Sequence, residues 1–124
     1  MHSAACVFCD IVAGRAPATV LRTWPDTIAI SPRHPVAPGH LLVIPHPHVI
    51  DVGQDPEVSA TTMARAAELA AGLPACNVIT SRGKAASQSV FHLHLHVVPR
   101  ADGDGLPLPW TPQHAARATS GSRA

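Results

Sequence analysis

The stretch FHLHLHVVPR, residues 91–100, constrains this chain more than any other. Histidines stand at 92, 94 and 96 with leucines between them. A helix would spread them around its circumference, whereas an extended strand puts residues i, i+2 and i+4 on one face. His92, His94 and His96 therefore share a face, and Leu93, Leu95 and Val97 share the opposite one. The aliphatic face belongs against a core, so the imidazole face is left for something else. At roughly 3.3 Å of rise per residue, the Cα atoms of His92 and His96 lie roughly 13 Å apart, which strains any single ion trying to gather the whole row. The row is expected to serve two purposes at its two ends.

What surrounds the row is bounded by the rest of the chain. Its 124 residues suit one domain with one modest core. With two Phe, two Trp and no Tyr, that core must be mostly aliphatic. The formal charge of +1 offers no basic field for a nucleic-acid polymer, so a small phosphate ligand would need local groups to hold it. Thirteen prolines, in clusters such as SPRHPVAPG and LPLPWTP, indicate short elements joined by tight loops. The start MHSAACVFCD lacks the basic-then-apolar pattern of a secretory leader, and no stretch approaches a membrane span. Three cysteines without such a leader argue for a reducing compartment, and the expected location is cytoplasmic.

Along the chain, CVFCDIVAGR is expected to form a short helix ended by Gly14, and TVLRTW and TIAI two strands joined at Pro25-Asp26. HLLVIP is an apolar run suited to an interior strand stopped by Pro45. From Asp55 to Leu73 the period becomes helical, with Asp55 as cap, Pro56 in the first turn, and Val58, Met63, Ala66, Leu69, Ala70 and Leu73 on the core face. ACNVIT and SVFHLHLHVVP supply a fourth and a fifth strand. The expected fold class is therefore α+β: a five-stranded antiparallel sheet with one main helix and a short N-terminal helix. Residues 1–110 form a single domain in this reading, and 111–124, small and aperiodic, a flexible tail.

Three chemistries compete for the histidine row. It is either polar filler, a set of metal ligands, or a nucleophilic site, since neutral imidazole near pH 7 is both a good nucleophile and a competent acid or base. Attack on phosphorus needs an oriented imidazole, a proton donor beside it and N–H groups around the phosphate oxygens. The row supplies the first two. The preceding SRGKAASQS offers the third through backbone amides near Gly83 and through Gln88 and Ser89.

QSVFHLHLHVVPR resembles the His-φ-His-φ-His-φ-φ motif of the histidine triad family, where φ is apolar. PVAPGHLLVIPHPH is similar to that family's Pro-Gly-His strand, and CVFCDIVAGRAP to its N-terminal opening, so the likeness runs from residue 6 to about 110. The resemblance implies a nucleotide hydrolase or transferase acting at an α-phosphate, on nucleoside phosphoramidates, dinucleoside polyphosphates or adenylylated compounds. By position, His94 would become nucleotidylated, His96 would contact the phosphate and assist the leaving group, and His40 would support the cluster. Gln88 and Ser89 would bind phosphate or leaving-group oxygens, and catalysis would require no metal. The family also implies a homodimer formed through the main helix and the fourth strand, and a purine nucleotide, adenosine by family habit, as substrate. A rival reading keeps the fold as a nucleotide-binding or sensing module with little turnover; another makes the triad the ligands of a zinc hydrolase.

The chain departs from the family pattern at three places. Pro32 stands where a ribose-binding Asp or Asn is common, Ser81 where a phosphate-site Asn is, and Ser87 where a Gly usually precedes the Gln. Altered selectivity is expected from these, not loss of the nucleophile.

Cys6 and Cys9 either pack as small hydrophobes or hold a metal. Some histidine triad proteins bind structural zinc through such a pair together with two histidines, here His48 of IPHPH and His92. That assignment puts metal at one end of the row and substrate at the other. His46 is expected to be exposed and Cys76 to be a core residue. Trp110 is expected to pack against the domain, and His34 to be inert. Ile28 and Ile30, with Leu42 and Ile44, are candidates to line a slot for the base.

Overall fold

The computed structural model describes residues 6–111. Helix α1 (Val7–Val12) leads into β1 (Val20–Thr23), β2 (Thr27–Ile30) and β3 (Leu41–Pro45). Helix α2 (Pro56–Ala70), β4 (Cys76–Ile79) and β5 (Leu95–Pro99) follow, and the expected α+β architecture holds. Every strand pairing is antiparallel, in the order β1-β2-β3-β5-β4. The reversal between β2 and β3 is followed by a crossover through α2, which carries the chain to the edge strand β4 before β5 enters beside β3.

Local chemistry explains the helix boundaries. The Asp55 carboxylate accepts from the backbone N–H of Glu57 and Val58, and Pro56 occupies the first turn, where no N–H is needed. On α1 the thiol of Cys6 accepts from the Cys9 N–H at 3.3 Å, and Gly14 turns the chain out with φ +79°.

The sheet has a core on each face. On one side α2 lays Ala66, flanked by Val58 and Leu69, over Val43, Leu93, Leu95 and Val97. On the other, α1 lays Phe8 and its two cysteines over Ile28, Ile30, Leu42 and Ile44. The histidine row belongs to the α1 face, because His96 pairs directly with Leu42 across the β3–β5 ladder.

Four sequence expectations are corrected. The fifth strand begins at Leu95, not near Ser89, because its partner β3 is in register with it only from Val43 to Leu41. The in/out alternation nevertheless continues back to His92, with Leu93 buried among aliphatics and His92 on the opposite side. Met63 is exposed and Thr62 is buried in its place, its hydroxyl donating to the Val58 carbonyl one turn back. The helix ends at Ala70, although Leu73 beyond it still packs on the core. Trp110 does not close the core: it is 79% exposed. The expected tail, beyond Thr111, lies outside the described residues, as do His2 and His114. Among the described residues no helix is long and apolar enough to cross a membrane.

Candidate functional site: two ends of one histidine row

The first imidazole is fully buried and looks toward α1. His92 places Nε2 2.9 Å from the Pro45 carbonyl oxygen. A carbonyl only accepts, so Nε2 carries the proton and Nδ1 presents a lone pair. That lone pair faces Cys6 Sγ at 3.4 Å, Cys9 Sγ at 3.5 Å and His48 Nδ1 at 3.2 Å, while Cys9 Sγ lies 3.1 Å from His48 Nδ1. All four donor atoms fall within 4.8 Å of one another. Around a tetrahedral zinc ion, ordinary bond lengths put two nitrogens about 3.3 Å apart and a nitrogen and sulfur about 3.5 Å apart. The donor set fits that ion in number, type and spacing, and the Pro45 carbonyl supplies the outer hydrogen bond that orients a ligating histidine. His46 is not part of the cluster; its backbone N–H instead donates to the Asp26 carbonyl.

The second and third imidazoles lie toward the other end. His94 donates Nδ1–H to the backbone carbonyl of His92 at 2.8 Å, which leaves Nε2 as the lone-pair nitrogen. His40 accepts the Val36 N–H at its Nδ1, 3.1 Å away, so its proton sits on Nε2 and points at His96 Nδ1, 3.0 Å off. His96 must then accept at Nδ1 and carry its own proton on Nε2. Two neighbouring rings, with centroids 5.3 Å apart, thus have opposite polarity: His94 offers a lone pair and His96 an N–H. A backbone carbonyl sets His94 directly, and a backbone amide sets His96 through the His40 ring.

Burial keeps all three rings neutral. It holds His94 below the ordinary imidazole range, partly offset by the bond to the His92 carbonyl, and it lowers His40 likewise. His96 is pushed down to about 4, by burial first and then by the charge that His94 and His40 would carry. Near pH 7 His40, His94 and His96 are neutral imidazoles.

The flanking residues divide. Gln88 is buried, and its amide serves its own loop: the carbonyl accepts from Gly83 N–H, and the nitrogen donates to the carbonyls of Ile50 and Val90. Both of its N–H groups are committed to backbone carbonyls of its surroundings. Ser89 is exposed and lines a cavity of about 450 Å³ with Cys6, Val7, His48, Ile50 and Phe91. Ser81 is half-buried in the loop after β4. Ile28 and Ile30 are buried in one apolar cluster with Phe8 and Ile44, on the α1 face of the sheet. Cys76 packs on the α2 side of the sheet as expected, and His34 is exposed.

Sequence reasoning missed two contributors. Phe8 meets the His92 ring at 5.9 Å and the His94 ring at 5.0 Å, edge-on to each; its place between Cys6 and Cys9 was the available signal. Thr80 donates its hydroxyl to the His94 carbonyl at 2.9 Å, a contact that no spacing rule announces.

The chain matches the HIT domain family model over residues 13–103. An uncharacterized HIT-like protein of Mycobacterium tuberculosis is 39% identical over 108 residues, covering 82% of this chain and 75% of that protein. An adenosine 5'-monophosphoramidase of Saccharomyces cerevisiae is 33% identical over 114 residues, covering 89% of this chain and 72% of that one. Among solved structures, a zinc-bound histidine triad family protein from Mycobacterium smegmatis matches with a TM-score of 0.77 at 37% identity, covering 90% of this chain and 87% of its own.

Proposed function

This chain belongs to the HIT domain family, and from that premise we propose that it is a nucleotide hydrolase or transferase working through a covalent nucleotidyl-histidine. The observation that carries the reading is the opposed polarity of His94 and His96. The His94 Nε2 lone pair attacks the α-phosphorus of a nucleoside phosphoramidate or dinucleoside polyphosphate. A P–N bond forms as the bond to the leaving group breaks with its electron pair. Nδ1–H stays on the ring, and the His92 carbonyl stabilises the positive charge that develops there. The His96 Nε2–H donates to a phosphoryl oxygen or to the leaving atom, and His40 holds it in that tautomer. Water then cleaves the P–N bond, its two hydrogens ending on the leaving group and the released nucleoside monophosphate.

Substrate grip in this reading falls to backbone amides of the 81–89 loop and to Ser89 and Ser81, with Gln88 shaping the loop. Adenosine is the base proposed, in keeping with the name of the yeast relative. Cys6, Cys9, His48 and His92 would hold zinc, which would cross-link α1, the loop after β3 and the row without touching the reacting atoms. Pairing of two chains through α2 and β4 is part of this reading, and each of those elements carries an exposed apolar side chain, Met63 on α2 and Ile79 on β4.

The test is a panel of adenosine phosphoramidates and dinucleoside polyphosphates, assayed for release of AMP with and without a chelator. AMP release that persists after chelation is expected. Tight nucleotide binding without release would make the chain a binding module, and release abolished by the chelator in a folded protein would make it a zinc enzyme.

A further inference from the structure

One peptide unit, joining His92 to Leu93, connects the two ends of the row. Its carbonyl accepts the Nδ1–H of His94 at 2.8 Å, and its N–H donates to the Val49 carbonyl at 2.7 Å. Both contacts leave the same rigid plane, so any rotation of that plane moves them together. Each flank of the plane is tied to the Cys/His cluster. His92 contributes its own Nδ1, and Val49 directly follows His48, which contributes another donor. The β5 ladder starts only at Leu95, so the peptide gets its orientation from these flanking attachments and not from sheet register. Phe8, carried between Cys6 and Cys9, sets its ring edge against both His92 and His94.

We propose that the Cys6–Cys9–His48–His92 centre is the positioning device of the nucleophile. Drawing His48 and His92 onto a common ion sets the plane of the 92–93 peptide, and that plane holds His94 in the Nδ1–H tautomer with Nε2 free. His48, His92 and Phe8 are positioning residues in this scheme. A centre that only fastened α1 to the sheet would leave the His94 ring indifferent to metal for as long as the fold survived. The inference rests on His94 being the nucleophile, but its test needs no turnover.

The experiment is imidazole nitrogen–proton correlation NMR on the full ¹⁵N-labelled chain at a pH where every histidine is neutral. Spectra are taken with zinc loaded and after chelation, at a temperature where circular dichroism shows the fold retained. The loaded protein is expected to show His94 as a single Nδ1–H tautomer, and the metal-free protein a mixture with Nε2–H. A His94 pattern unchanged by zinc removal overturns the proposal. Should the metal-free chain unfold, zinc is exchanged for cadmium, whose longer bonds shift the ligands in a folded, loaded protein. Moved His94 nitrogen shifts are then expected, and identical shifts overturn the proposal. Cys9→Ser, which alters the Cys/His cluster and leaves His40, His94 and His96 in place, is expected to lower kcat about tenfold with KM changed less than about twofold. Failure to find nucleotide on His94 would sink the functional reading while leaving the tautomer result standing, so the two failures are distinguishable.

Discussion

The His92 end and the His94–His96 end of the row use the same side chain under opposite constraints. At the first, a backbone carbonyl takes Nε2–H and turns Nδ1 inward onto two thiols and a second imidazole. At the second, a backbone carbonyl takes Nδ1–H of His94 and turns Nε2 the other way. In the function proposed, the choice of nitrogen, made by one hydrogen bond in each case, is what separates the candidate metal ligand from the proposed nucleophile two residues apart. Strand alternation places the imidazoles on one face; backbone acceptors turn His92 and His94 opposite ways, and the His40 ring orients His96.

The sharpest way to break this contrast is to remove one ring at the catalytic end. His94→Ala is expected to lower turnover at least about 10³-fold while moving the melting temperature little, read by steady-state kinetics and thermal denaturation. At the metal end the weights reverse. Cys9→Ser is expected to lower the melting temperature by about 10 °C or more, a loss of roughly 2–3 kcal/mol, while keeping about a tenth of turnover below that temperature. If both variants lost activity equally without loss of stability, the division of labour would be wrong.

Within the catalytic end, His40→Ala tests whether His96 depends on its neighbour for its tautomer. It removes the donor to His96 Nδ1 and strips the Val36 N–H of its acceptor. Turnover is expected to fall about 10–100-fold, the scale for losing a group that orients a catalytic imidazole.

How much of this was legible beforehand follows from which interactions are local. Leu93, Leu95 and Val97 against three histidines announced two faces, because alternation is a property of the chain itself. The Cys6/Cys9 pair with His48 and His92 was legible only through the likeness to histidine triad proteins that hold zinc with such a set; the spacing of the residues alone did not single out His48. The role of Gln88 was not legible, since it depends on the carbonyls of Ile50 and Val90 meeting its amide after the loop closes. The start of β5 was hidden for a similar reason: period-two sequence signals extended backbone, whereas ladder pairing needs β3 alongside. That α1 lies on Ile28 and Ile30 was hidden in the same way, because the packing of one element on another is not a local property of the chain.

A pH titration sharpens the comparison more gently. The folded-state value for His96 is pushed to about 4, below its ordinary 6.5. Between those values the unfolded chain binds the proton and the folded chain does not, so stability falls as pH drops from about 6.5 to about 4 and levels off below. Denaturant midpoints measured across that window are expected to decline toward acid, and the His96→Gln variant to show a shallower decline.

The smallest expected effect lies in the loop before the row. Ser87 adopts φ +76°, a left-handed conformation that costs a residue with a Cβ. Ser87→Gly is expected to raise stability by about 1 kcal/mol, measured by chemical denaturation, with His94 chemistry unaffected.

Intact-protein mass spectrometry under native conditions, during turnover of an adenosine phosphoramidate, tests most directly whether one row of imidazoles divides into a metal end and a nucleophile end. The predicted species carries one zinc ion and one nucleoside monophosphate on the same chain, with the nucleotide mapped to His94. A nucleotide adduct that forms only on chains that have shed their zinc, or that maps to any other residue, would contradict it.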